Sequence, residues 1–312
     1  MTLQNHFKKI FLEEDPFKDI LGQTKAKSQL KSALLAGRHV ILVGPPGIGK
    51  TTLAKNVAKI LPNQAFVRIQ GSPDLAVEDL LGDIDPIKAL TYGPLSVEAF
   101  TKGKIFKADK GVLFFDEINR CPEKLQNALL QVLEEKNATI GSYDVDFGAE
   151  FVLIATMNPQ DTNTERLSEV LLDRFDVIYI EYPETQKIEE DIVRSKNISL
   201  VTFPDNLLHL IVQFVRRLRV NKNLEKIPGV RATLGLYERA QANAYLKQKQ
   251  EVTFIDIQEA IISVLSHRIK LKPSVEYLKD PVVFMKEELD SFMVNHEIVL
   301  DKQESYREGD SP

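Results

Sequence analysis

Cysteine is scarce in this 312-residue sequence, and an excess of positive charge and long apolar runs are missing. Its single cysteine, Cys121, cannot close a disulfide within the chain and leaves no set of thiolates for zinc. Its plain role is that of a small packing residue. No run of 18 apolar residues occurs, so neither a membrane-spanning helix nor membrane insertion is expected. The opening stretch MTLQNHFKKIFLEEDPF carries too many charges for a secretory leader, and the cytoplasm is the default compartment. Internal repeats are absent, and so are low-complexity tracts apart from the polar end DKQESYREGDSP. That end has too little apolar surface to bury and is expected to be disordered.

A basic surplus is missing as well. The formal net charge is −5; residues 271–312 hold 5 basic and 10 acidic side chains, while residues 1–270 are balanced at 35 of each. A nucleic-acid motor normally carries extra lysine and arginine to neutralise phosphates. None is visible, so nucleic acid is not the expected partner, although a ring can conceal basic loops in its pore.

What is present falls into two blocks. The first alternates helical segments with short apolar runs: HVILVG (39–44), AFVRI (65–69), GVLFFDE (111–117), FVLIATMN (151–158) and VIYIEY (177–182). Continuous apolar runs of this length, separated by helices, predict buried parallel strands and an α/β domain. After Pro183 the runs stop, and segments 184–196, 205–219, 231–248 and 254–269 carry helical periodicity. In 205–219, Leu208, Ile211, Val212 and Val215 form one stripe, while Arg216, Arg217 and Arg219 crowd the C-terminal, negative end of the dipole. Asp256 stands where it could start the last of these helices.

Between the first strand and its helix lies Gly44-Pro45-Pro46-Gly47-Ile48-Gly49-Lys50-Thr51, a full GxxxxGK[ST] match, followed by Thr52. Glycines let successive N–H groups turn inward on phosphate oxygens, and the helix that follows adds its positive end. Lys50 supplies a mobile charge for the β- and γ-phosphates of ATP, and the Thr51 hydroxyl a ligand for Mg²⁺. Farther on, four apolar residues end in Asp116 and Glu117. Acids at the carboxyl end of a buried strand stand where ligands of open α/β sheets bind. Asp116 is the candidate magnesium ligand, and Glu117 the candidate to orient or deprotonate the attacking water.

Three further residues are weaker as single observations. Asn158 before Pro159 is by itself a turn residue, but it ends the next strand and could help position the same water. Arg174 in LLDRF reads either as a salt bridge with Asp173 or Asp176 or as an arginine finger on a γ-phosphate. Arg231 in GVRA, taken alone, is a solvated residue at a helix start.

The series GPPGIGKT, FFDEINR, IATMNP, LLDRFD and GVRA resembles the AAA+ superfamily, in the order that superfamily keeps, over residues 17–270. DEINR followed by CPEKLQNALLQVLEE is similar to the MoxR group, as are SPDL (72–75) and VLSHRI (264–269). GDIDP (82–86) and LLDRF resemble the ATPase subunit of magnesium chelatase. The resemblance implies a RecA-like P-loop NTPase domain over 1–182, with a parallel sheet, followed by a small all-helical lid domain over 183–270 and an acidic, partly disordered extension over 271–312. It implies an ATPase working as a homo-oligomeric ring, often a hexamer, with ATP and Mg²⁺ at the seams. Asn158 then matches sensor 1, Arg174 the finger acting on a neighbour's ATP, and Arg231 sensor 2, in its own subunit or its neighbour's. Gln23 in DILGQ matches the segment near the adenine. Residues 71–110 and Thr139–Phe147 match two insertions that face the pore or a partner; Thr139–Phe147 also reads as an ordinary surface hairpin. Arg120 belongs to the DEINR signature without an assigned chemistry. The client implied is a protein, in MoxR relatives commonly one with a von Willebrand A domain. Alternatives are the motor of a metal-inserting chelatase, a nucleic-acid motor, and a nucleotide switch that hardly turns over, against which Glu117 speaks.

Overall fold

A computed structural model describes residues 3–13, 15–94, 96–135, 150–159, 167–196 and 199–296. The expectations for Thr139–Phe147 and for the polar end 301–312 lie outside the described residues. The chain divides into two compact units, 1–182 and 183–312.

The first unit is built on five parallel strands: β1 (His39–Val43), β2 (Phe66–Gln70), β5 (Val112–Asp116), β6 (Val152–Met157) and β7 (Phe175–Tyr179), in the order β2-β5-β6-β1-β7. Their apolar runs are continuous because helices cover both faces. On one face Ile41, Leu113, Phe115, Leu153 and Ala155 pack with Leu125, Leu129 and Val132 of the helix Glu123–Glu135. On the other, Val40, Leu42, Phe114 and Ile154 pack with Leu53, Ala54 and Val57 of the helix Lys50–Lys59 and with Leu30 and Leu34 of the helix Thr24–Leu35. Alternate residues of one strand thus belong to different cores. The closing strand begins earlier than its apolar run suggests. Pairing with β1 starts at His39–Phe175, and at this sheet edge Val177 and Tyr179 are exposed.

Between β2 and β5 the chain forms an insertion. A helix Val77–Leu81 leads into β3 (Gly82–Ile84), which pairs antiparallel with β4 (Phe100–Lys102). The helix Pro86–Tyr92 bridges the two strands and is capped by Asp85, whose carboxylate accepts from the Ile87 and Lys88 amides. Leu80, Leu81 and Ile105 anchor the insertion in the first core.

Among the described residues the second unit is helical apart from a short antiparallel pair, β8 (Leu224–Lys226) with β9 (Lys270–Leu271), and an isolated bridge between Thr202 and Glu251. Helices Gln186–Ser195, Asp205–Arg219, Val230–Leu246 and Phe254–Leu265 share one core. The stripe of Leu208, Ile211, Val212 and Val215 is buried in it. Asp256 does start its helix: Thr253 donates to Asp256 Oδ2 from its amide at 2.9 Å and from its hydroxyl at 2.7 Å. Glu189, fully buried, is gripped by Arg219 at 2.6 and 2.7 Å and by the Thr233 hydroxyl at 2.7 Å. A buried carboxylate is tolerated only when paired and hydrogen-bonded in this way. The extension set apart at residue 271 needs correction. The helix Pro281–Asn295 places Phe284, Met285, Leu289 and Phe292 in the lid core, so folded lid continues past residue 270.

Candidate functional site

The loop after β1 leaves the sheet at its carboxyl edge, where β1 lies between β6 and β7. The Gly44 amide donates to the Met157 carbonyl at 3.2 Å and ties the loop to the end of β6, beside Asn158. A β-carbon on Gly44 would fall 2.3 Å from the Ile180 carbonyl oxygen, so only glycine lets the chain pass. Gly47 and Gly49 have φ of 83° and 99°, a region that glycine alone enters freely. The helix Lys50–Lys59 follows at once, with its first amides directed back toward the loop. Pro45, Pro46 and Ile48 complete the turn, and Ile48 packs against the core beneath. Lys50 Nζ donates to the Gly44 carbonyl and, at 2.9 Å, to that of Pro45. Its ammonium therefore lies along the loop. Thr51 and Thr52 occupy the first turn, both half-buried.

The acids stand on the same side. Phe114 and Ile154 pack in the core that holds the helix Lys50–Lys59, and two residues on, Asp116 and Thr156 keep that face at the strand ends. Thr156 joins them: its hydroxyl donates to Asp116 Oδ1 at 2.6 Å and accepts from the Glu117 amide at 2.9 Å. Glu117 has φ 55° and ψ 52°. For a residue with a β-carbon this left-handed geometry costs about 1–2 kcal/mol. The Thr156 hydrogen bond and the Arg120 amide donating to the Glu117 carbonyl at 2.9 Å hold it there. The turn swings the second carboxylate off the strand line beside the first.

Two side chains of β2 also reach the acids. Arg68 Nη2 meets Asp116 Oδ2 at 2.5 Å, and Gln70 Nε2 donates to Glu117 Oε2 at 3.0 Å. Arg120 pairs with the same Glu117 oxygen at 3.3 Å. Sequence reasoning missed Arg68, Gln70 and Thr156. The available signal was alternation, which sets Phe66, Arg68 and Gln70 on one face of β2, but the strand they face is fixed only by the sheet order.

The arginines lie elsewhere. Arg174 precedes β7 at the opposite, amino edge of the sheet and pairs with Glu134 of the helix Glu123–Glu135. Asp176 instead pairs with Arg38 at 3.1 Å. Arg231 is exposed at the start of the helix Val230–Leu246, in the second unit. Arg219, which holds Glu189, also donates to the Pro228 carbonyl at 2.9 Å, and so braces the turn before Arg231. Gln23, at φ 58°, donates through Nε2 to the Glu181 carbonyl at 2.6 Å and fastens the segment before its helix to the end of β7.

The donor set suits a magnesium-bound triphosphate. Among the described residues no cluster of three or more histidine, cysteine or acidic side chains could cage a metal. One carboxylate and one hydroxyl beside a nest of amides match a magnesium ion that takes its remaining ligands from phosphate and water.

Comparison with known proteins agrees. Residues 39–175 match the AAA domain of the dynein-related subfamily, and residues 226–283 the AAA lid domain. The chain is 30% identical over 271 residues to the uncharacterized protein YeaC of Bacillus subtilis, covering 79% of this chain and 82% of that one. It is 27% identical over 292 residues to chaperone MoxR1 of Mycobacterium tuberculosis, covering 81% and 73%. It is 28% identical over 316 residues to the magnesium-chelatase subunit ChlI of Olisthodiscus luteus, covering 83% and 91%. The chain belongs to the AAA+ family, in its MoxR and magnesium-chelatase branch. As an AAA+ protein it has the RecA-like sheet with a helical lid after it, and the lid match reaches residue 283, past the expected boundary at 270.

Proposed function

We propose that this AAA+ protein binds ATP with Mg²⁺, hydrolyses it in a homo-oligomeric ring, and uses the cycle to remodel or activate a protein partner. The observation that carries this is the meeting of the Lys50–Thr51 helix start and the Asp116–Glu117 pair on one face and one edge of the sheet. The amides of Gly47–Thr51 and the Lys50 ammonium hold the β- and γ-phosphates; Thr51 and Asp116 would hold the metal, which would neutralise charge on the phosphate oxygens. Glu117 takes a proton from water as its oxygen attacks the γ-phosphorus and ADP leaves, and Asn158 helps orient that water. A positioned base of this kind is worth about 10²–10⁴ in rate. Arg174 serves the nucleotide of a neighbouring copy, and Arg231 that of its own subunit or its neighbour's. A hexameric ring, a client with a von Willebrand A domain and action in the cytoplasm complete the reading. Among the described residues no helix is long and apolar enough to cross a membrane.

The test is nucleotide binding and turnover with Lys50→Ala and Glu117→Gln. Lys50→Ala should abolish ATP binding. Glu117→Gln should keep it, lose at least about 100-fold in turnover, and retain clients in a pull-down with ATP. Unchanged turnover in Glu117→Gln refutes the assignment. The likeness to ChlI over 91% of its length supports a second reading, the motor of a chelatase-like complex. Failure to stimulate metal insertion in a reconstituted assay removes it. The balance of 35 basic against 35 acidic residues over 1–270 argues against a nucleic-acid motor.

A further inference from the structure

Both carboxylate oxygens of Asp116 already have a partner in this chain. Oδ1 takes the Thr156 hydroxyl at 2.6 Å and Oδ2 takes Arg68 at 2.5 Å, while the same guanidinium nitrogen reaches Gln70 Oε1 at 3.2 Å. Arg68 lies on β2, an edge strand, with its side chain 54% exposed. An arginine so exposed needs no partner, because water solvates it fully; here its head lies on the acid proposed to hold the metal. Gln70, next on the same face, fixes the guanidinium from the side and donates to Glu117 at 3.0 Å. Arg120 meets Glu117 at 3.3 Å. Two carboxylates are thus each paired with a guanidinium group, which offsets the negative charge that would draw in a divalent cation.

We infer that Arg68 is a positioning residue of the metal site: it is a built-in counter-ion on Asp116 that weakens capture of a lone divalent cation and makes metal binding depend on the phosphates of the nucleotide. The inference rests on the proposed ATP site. A nucleotide triphosphate brings several negative charges and supplies most of the metal's ligands, so it tips a balance that Asp116 alone does not. The guanidinium is always charged and presents directed N–H groups in a fixed fork, which a lysine at the same place would not reproduce. Its charge, rather than its shape, is what opposes a cation.

The experiment uses Mn²⁺ alone as the probe, titrated into the full chain without nucleotide and followed by the paramagnetic resonance signal of free Mn²⁺. Arg68→Gln should bind Mn²⁺ roughly two- to five-fold more tightly than the unmodified protein, the range set by loss of an exposed ion pair. Arg68→Lys should stay close to the unmodified protein, and the gain should vanish in Arg68→Gln combined with Asp116→Asn. ADP affinity in EDTA should be the same with and without Arg68. Equal Mn²⁺ affinities in a variant that melts like the parent, or retention by neither protein, overturn the inference. So does a fall in ADP affinity in EDTA, which would make Arg68 a phosphate ligand instead. The proposed ATP site is judged separately, by ATP binding of the unmodified protein with magnesium.

Discussion

Phe175 and His39 open neighbouring strands at the same level of the sheet, and Arg174 stands just before that level, whereas the phosphate loop leaves β1 at its far end after Val43. At about 3.3 Å per residue, the five residues of β1 put some 16 Å between the two positions before the loop is counted. Glu134 holds Arg174 at that amino edge. An arginine finger so placed can act only on the nucleotide of another copy. Arg174→Ala should slow turnover by about 10³–10⁵ and leave nucleotide affinity unchanged. Glu117→Gln should lose turnover for a different reason, since it keeps the arginine and lacks the base. Mixed in equal amounts before assembly, the two should recover activity that neither has alone. In a ring with head-to-tail contacts, about a quarter of the seams then join an intact acid pair to an intact arginine, so the rate should approach about a quarter of the unmodified value. Phosphate release measures the rate, and co-purification through a tag on one variant confirms mixed rings. Mixed rings without recovery would refute action across the seam.

Gly44→Ala puts a β-carbon 2.3 Å from the Ile180 carbonyl and 2.7 Å from Ile48 Cδ1. The loop must shift, with a stability loss of about 1–3 kcal/mol; calorimetry should also show ATP affinity at least about tenfold lower, because the phosphate-facing amides move with it. In the lid, burial alone would raise the Asp256 carboxyl. The hydrogen bonds from Thr253 and Lys247, with the charge of Lys249, outweigh this and hold it below the usual carboxylate range. A group depressed on folding stabilises above its unfolded value, about 3.9, and loses that contribution as pH falls below it. Lid melting should therefore drop below about pH 4, and Asp256→Asn should flatten that dependence while costing about 1–3 kcal/mol at neutral pH.

Legibility in the sequence followed locality. GPPGIGKT and the acids of GVLFFDE could be read because each is one stretch of chain whose chemistry demands fixed residue types at fixed spacing. Thr156, Arg68 and Gln70 could not, because their roles come from which strands lie side by side. Periodicity predicts a strand but is silent on the order β2-β5-β6-β1-β7, and that order alone brings three separate strand ends to one point. The partner of Arg174 was hidden for the same reason: Glu134 is 40 residues away, while Asp173 and Asp176 are adjacent in sequence and were the natural candidates. The lid helix Pro281–Asn295 was obscured differently. Its stripe of Phe284, Met285, Leu289 and Phe292 has helical spacing, but it is interleaved with Lys286, Glu287, Glu288 and Asp290. Charge counted over the whole of 271–312 averaged the two faces into one acidic segment.

The same sheet order makes the acid pair a junction. Thr156 of β6 holds Asp116 and Glu117 from one side, and Arg68 and Gln70 of β2 from the other. The residue after Gln70 is Gly71, whose amide donates to the Asp116 carbonyl at 2.7 Å, and from there the chain enters the insertion with its hairpin β3–β4. The root of that insertion is thus one hydrogen bond from the backbone of the first acid and one residue from the side chain that holds the second. Hydrogen bonds of this kind depend steeply on distance and angle. A displacement of the insertion that pulled on Gly71 would loosen the hold of Gln70 on Glu117 before it disturbed the core beneath, where Ile69 is fully buried.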